Sequence, residues 1–174
     1  MNNIQNNIVY IDGANLHRGA LSLGWELDYL RFRVWLKDKY GIKTAYLFLG
    51  LIPRYKDLYT FLQKAGYILI FKETILNGEG IPKGNCDADL VLQATRDVFE
   101  ASYDYSIIVS SDGDYASLVK FLMERKKMKR ILSPYPQERC SVLLKRTGAP
   151  ISYIADKRGI LETKMKKPPM RTGA

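Results

Sequence analysis

The sequence is poor in the residues that build disulfide frameworks and zinc sites. Its 174 residues include two cysteines, Cys86 and Cys140, and one histidine, His17. Two cysteines give no disulfide framework, and this set falls short of the tetrahedral ligand set of a structural zinc site. The chain also has no apolar run of membrane-spanning length, and its polar start is not typical of a secretory signal peptide. We therefore expect a reduced, cytoplasmic protein.

Several motifs of phosphate chemistry are absent as well. No GxxxxGK[ST] occurs, which argues against a P-loop NTPase, and no GxGxxG follows the first predicted strand, which argues against a dinucleotide site. The DxDx[TV] pattern of an aspartyl-phosphate mechanism is also missing after that strand. The chain does carry a basic balance, with a formal net charge of +9. This charge favours polyanions such as nucleic acid, or an anionic membrane surface, and a solvated lysine-rich surface explains it equally well.

Short apolar runs alternate with longer helical patterns along the chain. The predicted strands cover 7–12, 43–50, 67–73, 105–110, 129–134 and 151–155. The predicted helices cover 27–41, 54–66, 86–102, 114–127 and 137–148. Because the strands are continuous apolar runs, we expect helices to cover both faces of the sheet. The pattern predicts an α/β fold: a three-layer αβα sandwich, Rossmann-like, with a mainly parallel sheet.

One domain accounts for most of the chain. Residues 1–156 hold the whole alternating pattern, and this length suits a single α/β domain with a core of its own. Residues 157–174 are basic, include Pro168-Pro169 and lack an apolar helical stripe. We expect this segment to be a flexible C-terminal tail.

Aspartates stand where predicted strands end. Asp12 ends the first strand, and Asp112 and Asp114 follow the strand over 105–110. Open parallel sheets bind ligands outside the carboxyl ends of their strands, at the point where the strand order reverses. If these two strands are neighbours at that point, as is usual in doubly wound sheets, the three carboxylates converge.

A fourth aspartate, Asp87, begins the helix predicted after a glycine-rich loop. At about 100° per residue, Val91, Ala94 and Val98 lie within about 40° of Asp87. We expect this apolar stripe to face the sheet, which would point Asp87 toward the strand ends. Asp89 falls on the solvent side of the same helix.

Carboxylates packed together repel one another and raise one another's pKa values, so a cluster of this kind makes sense around a cation. Oxygen ligands without a cysteine and histidine set favour Mg²⁺ or Mn²⁺. One or two such ions activate water and steady the attacking and leaving oxygens of a phosphodiester. Each acid also has a structural explanation of its own: Asp12 in a turn, Asp87 at a helix dipole, and Asp114 as an N-cap.

The acidic segments resemble the NYN domain family, a branch of the PIN-like ribonuclease fold. The matching residues are Asp12-Gly13-Ala14-Asn15, Lys83-Gly84 with Asp87, and Ser110-Ser111-Asp112-Gly113-Asp114-Tyr115-Ala116-Ser117-Leu118-Val119. Their order and spacing fit over roughly residues 7 to 155. This chain differs from many relatives at two positions, Ser111 in place of glycine and Gln93 in place of a second helical acid.

The resemblance implies a PIN-like fold and a metal-dependent endoribonuclease-like hydrolase that acts on RNA with Mg²⁺ or Mn²⁺. The implied metal-binding and catalytic residues are Asp12, Asp87, Asp112 and Asp114. The implied substrate-binding residues are Asn15, Lys83, Ser110 and Ser111. We expect Asp112 to contact the metal directly and Asp114 to act through water.

Two other functions stay open. Gln93 supports an RNA- or nucleotide-binding module with weak or no nuclease activity, because an amide oxygen is a weaker ligand than a carboxylate. A phosphatase, or a nuclease acting on DNA, would use the same ions. The sequence leaves open whether one or two metals bind and whether the protein forms a homo-oligomer.

Overall fold

The structure, a computed structural model, describes residues 5–72, 75–76, 82–83 and 86–164, with the backbone alone at 75–76 and 82–83. Its strands are β1 (Asn7–Asp12), β2 (Ile42–Gly50), β3 (Ile68–Lys72), β4 (Ile75–Leu76), β5 (Pro82–Lys83), β6 (Ser106–Val109), β7 (Met128–Ser133) and β8 (Ile151–Tyr153). Its helices are α1 (Gly13–Ser22), α2 (Tyr29–Tyr40), α3 (Lys56–Lys64), α4 (Asp87–Glu100), α5 (Ala116–Glu124), α6 (Val142–Lys145) and α7 (Arg158–Leu161).

Six strands form one parallel sheet in the order β3-β2-β1-β6-β7-β8. The order reverses between β1 and β6, which are hydrogen-bonded neighbours with Ile11 opposite Val109. The expected adjacency of these two strands is confirmed, and their carboxyl ends form the switch point of the sheet. The short strands β4 and β5 pair antiparallel as a separate two-stranded unit.

Helices cover both faces of the sheet, which confirms the αβα sandwich. Side chains of a strand alternate between the two faces, so Val9 and Ile11 pack against α1, α2, α3 and α7. Ile8 and Tyr10 face the opposite way and pack against α4, α5 and α6. Because every central strand is buried on both sides, it needs an apolar residue at nearly every position, which explains the continuous apolar runs.

Helix α2 shows how local signals set its ends. Asp28 caps it, since its carboxylate Oδ1 accepts the backbone N–H of Arg31 at 3.0 Å. Gly41 ends it in the left-handed conformation at φ 63°, which glycine adopts without steric penalty. The helix therefore lies within the range predicted over 27–41.

Two helices differ from the prediction. Helix α1 is missing from the predicted helices, because Gly13 and Asn15 also suit a turn; Leu16 and Ala20 bury one side of it. The predicted helix over 137–148 is wrong in extent, since only a 3₁₀ turn and the short α6 form there. Cys140 interrupts them with an extended backbone, and the Ser141 hydroxyl caps α6 by accepting the Leu143 N–H at 3.2 Å.

The chain continues past the predicted domain boundary. Helix α7 brings Leu161 into the core, where it is completely buried, and Glu162 forms an isolated bridge with Leu27. Residues 165–174 lie outside the described part, so the flexible tail stays a prediction. None of the helices in the described ranges is long and apolar enough to span a membrane.

Candidate metal centre

Asp12 sits at the end of β1 and also begins α1. Its Oδ1 atom accepts the backbone N–H of Asn15 at 3.0 Å, which makes Asp12 the N-cap of the helix. Its Oδ2 atom accepts the hydroxyl of Ser110, the residue after β6, at 3.3 Å. The first-strand carboxylate is therefore held by contacts from both sides of the switch point.

The second acidic segment follows β6 and forms the 3₁₀ turn Gly113–Tyr115 before α5. Asp112 caps this turn, because its Oδ1 atom accepts the backbone N–H of Asp114 at 3.0 Å. The alternative explanation of Asp114 as an N-cap is wrong for a simple reason. The helical conformation already begins at Gly113, so the extended residue before it, Asp112 at φ −79° and ψ 132°, takes the capping position.

Both Asp-Gly pairs place the acid beside a tight packing contact. A Cβ atom on Gly13 would lie 2.7 Å from the carbonyl oxygen of Phe48 in β2. A Cβ atom on Gly113 would lie 2.5 Å from the Ser141 hydroxyl oxygen. These glycines are required for space rather than for a positive φ, and they let the acidic turns seat directly on neighbouring elements.

Asp87 is the first residue of α4 and is partly buried. Its Oδ1 atom accepts the hydroxyl of Tyr115 at 2.5 Å. The fully buried residues of α4 are Leu90, Ala94 and Asp97, while Val91 and Val98 of the expected stripe pack partly buried against the same core. The stripe therefore faces the sheet as expected, with its centre displaced toward Asp97. The displacement places one more polar residue, Asp97, against the sheet.

Three carboxylates converge at the switch point. Asp87, Asp112 and Asp114 each offer an oxygen, and these oxygens lie within 4.8 Å of one another. Two opposite ligands of one Mg²⁺ lie about 4.2 Å apart, so a small adjustment would let the three acids surround one ion. Asp12 stands outside this group and is connected to it by Tyr115, whose hydroxyl lies 3.4 Å from Asp12 Oδ2.

The electrostatics of the centre suit a cation. Burial raises the pKa of the Asp12 carboxyl, and the charges of Asp87 and Asp112 raise it further. The Asn15 N–H and the Ser110 hydroxyl oppose that rise, because both donate to the ionised form. A bound divalent cation would favour the charged form of all these acids.

The donor set is one of hard oxygens. Cys86 precedes Asp87 in the chain, and burial, followed by the charges of Asp89 and Asp12, raises the pKa of its thiol to about 11. A protonated thiol is a poor metal ligand. The residues present therefore fit Mg²⁺ or Mn²⁺ better than a thiolate-seeking ion.

Asn15 ties the two acidic segments together. Its side-chain Oδ1 accepts the backbone N–H of Ser111 at 2.9 Å, and its own backbone N–H donates to Asp12. Ser110 and Ser111 are buried, and the Ser111 hydroxyl pairs with that of Ser133 at 2.9 Å. These bonds fix the loop, while the expected contact of the residues with substrate stays a prediction. The side chain of Lys83 lies outside the described residues.

Sequence reasoning missed two features near the centre. One is Tyr115, a completely buried tyrosine that contacts two of the acids. Its position directly after Asp112-Gly113-Asp114 was the one feature of the sequence that could have indicated its place beside the acids. The other is buried Asp97, whose carboxylate accepts the Tyr10 hydroxyl at 2.8 Å and the Gln93 amide at 2.9 Å. No local pattern marks that residue.

A parallel sheet covered by helices on both faces, with carboxylates grouped at its switch point, is the arrangement expected of a PIN-like metal centre. The NYN domain model matches residues 7–148, and the chain belongs to the NYN domain family, a PIN-like nuclease family.

A solved structure supports the fold. It is the crystal structure of a protein of unknown function from Vibrio parahaemolyticus, with a TM-score of 0.73 and 20% sequence identity. The match covers 92% of this chain and 99% of that one. At this identity, the similarity extends to the fold alone. No curated protein sequence matches the chain.

Proposed function

We propose that this protein is a divalent-metal-dependent endoribonuclease that hydrolyses RNA phosphodiester bonds. The proposal rests on the grouping of Asp87, Asp112 and Asp114 within 4.8 Å at the switch point of the sheet. Three acids from two separate segments gain nothing from mutual repulsion, so their grouping favours a site for an external cation. Membership of a PIN-like nuclease family supports the same reaction class.

The four acids have different roles in binding Mg²⁺ or Mn²⁺. Asp112 and Asp87 bind it directly, Asp114 acts through water, and Asp12 adds charge from the first strand. When bound, the ion acts as a Lewis acid that lowers the pKa of a coordinated water and neutralises charge on the phosphate oxygens. The buried hydroxyl of Tyr115, between Asp12 and Asp87, sets the positions of these two carboxylates.

Substrate contacts come from the rim of the centre. The side-chain oxygen of Asn15 holds the acidic loop in place through the N–H of Ser111. Its side-chain nitrogen is the atom that we assign to substrate contact. Lys83 meets a substrate phosphate as a point charge. Ser110 and Ser111 are the other two residues of the predicted substrate-binding set; both are buried, so their part is to hold Asp12 and the acidic loop in place.

The charge distribution supports a nucleic-acid substrate. The whole chain carries 27 lysines and arginines against 18 aspartates and glutamates. Within the described residues, the three ion pairs are Arg31–Asp28, Lys72–Asp89 and Arg158–Glu162. The other described basic side chains form no ion pair with a described acid. We expect them to contribute to RNA binding, and we expect this binding to weaken steeply with salt.

A second candidate is an RNA- or nucleotide-binding module that cuts weakly or not at all. Gln93 favours it, because its side-chain amide donates to Asp97 at 2.9 Å and supplies no carboxylate to the centre. Such a module would still use the acid cluster to hold a metal ion and a phosphate.

A cleavage assay separates these functions. End-labelled RNA and DNA of the same sequence are incubated with the protein and Mn²⁺ or Mg²⁺, beside Asp112→Asn and a matched control, Asp57→Asn. Asp57 is exposed in the first turn of α3 and belongs to no acid cluster of the described residues.

The ribonuclease proposal predicts metal-dependent cleavage of RNA that Asp112→Asn abolishes and Asp57→Asn leaves unchanged. Cleavage that persists in Asp112→Asn would show the wrong site or a contaminant. Metal-dependent binding of RNA without cleavage would replace the proposal with the binding module. Faster cleavage of the DNA than of the RNA would show that the protein is a deoxyribonuclease and would contradict the proposal of an RNA substrate.

A further inference from the structure

A second cavity lies on the opposite face of the sheet, between the last turns of α2 and the strands β7 and β8. Its volume is about 240 Å³. Three basic side chains line it, those of Lys39, Arg130 and Lys157, together with the aromatic side chains of Trp35 and Tyr40. We call this cavity the basic pocket.

The strand register separates the basic pocket from the metal centre. Arg130 pairs with Ile107, and Ile107 pairs with Val9, three residues before Asp12. Three residues correspond to about 10 Å along a strand. Val9 and Ile107 face the α1 and α2 side of the sheet, whereas Tyr115 at the metal centre packs on the other side. The pocket is therefore a separate site.

The charges of the pocket are not balanced by the protein. No carboxylate lines the cavity within the described part of the chain, and Asp38 lines a neighbouring open groove instead. Glu138 and Asp156 do not line the cavity either. Three cations around one hollow repel one another, so the arrangement favours an anion.

Among the three basic residues of the pocket, Arg130 has the weakest structural reason for its position. It is partly buried, and its guanidinium donates to the Ser152 hydroxyl at 2.5 Å with no ion pair among the described residues. Lys39, in contrast, lies in the last turn of α2, where a cation complements the helix dipole. A partly buried guanidinium offers the planar fork that binds phosphate with two hydrogen bonds.

We propose that the basic pocket binds a phosphomonoester. The phosphate sits among Lys39, Arg130 and Lys157, and the group attached to it packs against Trp35 and Tyr40. The volume lies just below the usual range of about 300–1,000 Å³ for ligand pockets, which suits one small unit and excludes a long chain. The ligand is a free nucleotide or the phosphorylated end of an RNA. This inference does not depend on the metal centre.

Trp35 provides a direct reporter of binding. The chain has two tryptophans, and Trp25 is buried in the core, so Trp25→Phe leaves Trp35 as the only indole. In that background, Trp35 fluorescence is titrated with inorganic phosphate, AMP, and short RNAs with a 5′-phosphate or a 5′-hydroxyl. EDTA prevents cleavage, and chloride keeps the ionic strength constant.

We expect a saturable change in Trp35 fluorescence with phosphate and AMP. Arg130→Gln should weaken binding by about tenfold or more, since it removes a charged hydrogen-bond donor. Lys157→Gln should weaken it by a smaller factor, and Lys120→Gln, an exposed lysine of α5 on the opposite face, should leave it unchanged. Unfolding curves of each variant confirm that the fold is kept.

The RNA arms distinguish the two sources of the phosphate. Binding of the 5′-phosphorylated RNA but not its 5′-hydroxyl form identifies an RNA end as the ligand, and binding of AMP alone identifies a free nucleotide. Absence of saturation with any of these probes would overturn the proposal. An equal response in folded Arg130→Gln and in its parent would overturn it as well.

Discussion

Two aspartates of the same helix, Asp87 and Asp97 of α4, each accept a hydrogen bond from a buried tyrosine. Tyr10 donates to Asp97 at 2.8 Å, and Gln93 adds a second donor at 2.9 Å. Tyr115 donates to Asp87 at 2.5 Å but shares its hydroxyl with Asp12. Asp87 also lies in the cluster with Asp112 and Asp114, whereas Asp97 belongs to no such group among the described residues.

The difference separates a structural acid from a functional one. Asp97 is buried, and each of its oxygens has a donor from the protein, so its carboxylate stabilises the packing of α4 on β1. In the metal centre, Asp12 and Asp87 share one tyrosine hydroxyl, and Asp87, Asp112 and Asp114 bring like charges within 4.8 Å of one another. Such a cluster lowers stability unless a cation joins it, and this is the common cost of a preorganised site.

The largest expected effect is on catalysis. Asp87→Asn should lower the rate of RNA cleavage by at least about 100-fold, because even groups that only support metal ligands contribute about 10- to 100-fold. Asp97→Asn keeps an acceptor for Tyr10 and should change the rate by less than about fivefold. Single-turnover cleavage measures both. Equal losses in the two variants would remove the distinction between the two acids.

Tyr115→Phe tests how the hydroxyl positions the acids. The substitution keeps the buried ring and removes the donor to Asp87 and Asp12, so Mn²⁺ affinity should fall by about 10- to 100-fold. Tyr46→Phe, a partly buried tyrosine on the same sheet face, is the matched control. Calorimetric Mn²⁺ titration measures the affinity. Lower stability with unchanged affinity would reduce Tyr115 to a packing role.

Tyr10→Phe tests the structural acid. It leaves one oxygen of buried Asp97 without its donor, so we expect the free energy of unfolding to fall by about 1–3 kcal/mol. Tyr46 stacks on Tyr10 with ring centroids 5.7 Å apart, and Tyr46→Phe should change stability little. Urea unfolding compares the two variants. A loss of similar size in both would assign the effect to the rings rather than to the hydrogen bond.

The smallest expected effect is on pH-dependent stability. The pKa of Asp12 is raised in the folded state, so its contribution to stability is present below the unfolded pKa and is lost as the pH rises through the folded pKa. In EDTA, Asp12→Asn should therefore raise the free energy of unfolding at pH 7, because it removes a buried charge that lies beside two others. Asparagine keeps the N-cap of α1.

The gain from Asp12→Asn should disappear near pH 3, where Asp12 is protonated in the wild type. Unfolding free energies at a series of pH values measure this trend. A gain independent of pH, or a loss at neutral pH, would contradict the assigned effects of burial and of repulsion from Asp87 and Asp112.

The fold, and the edge of the sheet at which the site lies, could be predicted because both follow from the order of the apolar runs. The carboxyl ends of parallel strands meet at one edge, which placed Asp12 beside the segment with Asp112 and Asp114. Helix α1 could not be predicted, since Gly13 and Asn15 favour turns when seen alone. Glycine at position 13 is instead required by the close approach of β2.

The polar contacts inside the protein could not be predicted from local sequence. The displaced stripe of α4 buries Asp97, and its partner Tyr10 lies 87 positions away. The same holds for Tyr115, whose hydroxyl contacts Asp12 although the two residues are 103 positions apart in the sequence. Such pairs depend on how helices seat on the sheet, and no helical period contains that information.

Anomalous diffraction from crystals soaked in Mn²⁺ tests the central claim most directly, because it locates the ion independently of any activity. We predict a manganese peak bounded by carboxylate oxygens of Asp87, Asp112 and Asp114, with the direct ligands about 2.2 Å from the ion. A protein saturated with Mn²⁺ that shows no peak at this cluster, or that holds the ion only elsewhere, would contradict the assignment of these acids as a metal centre.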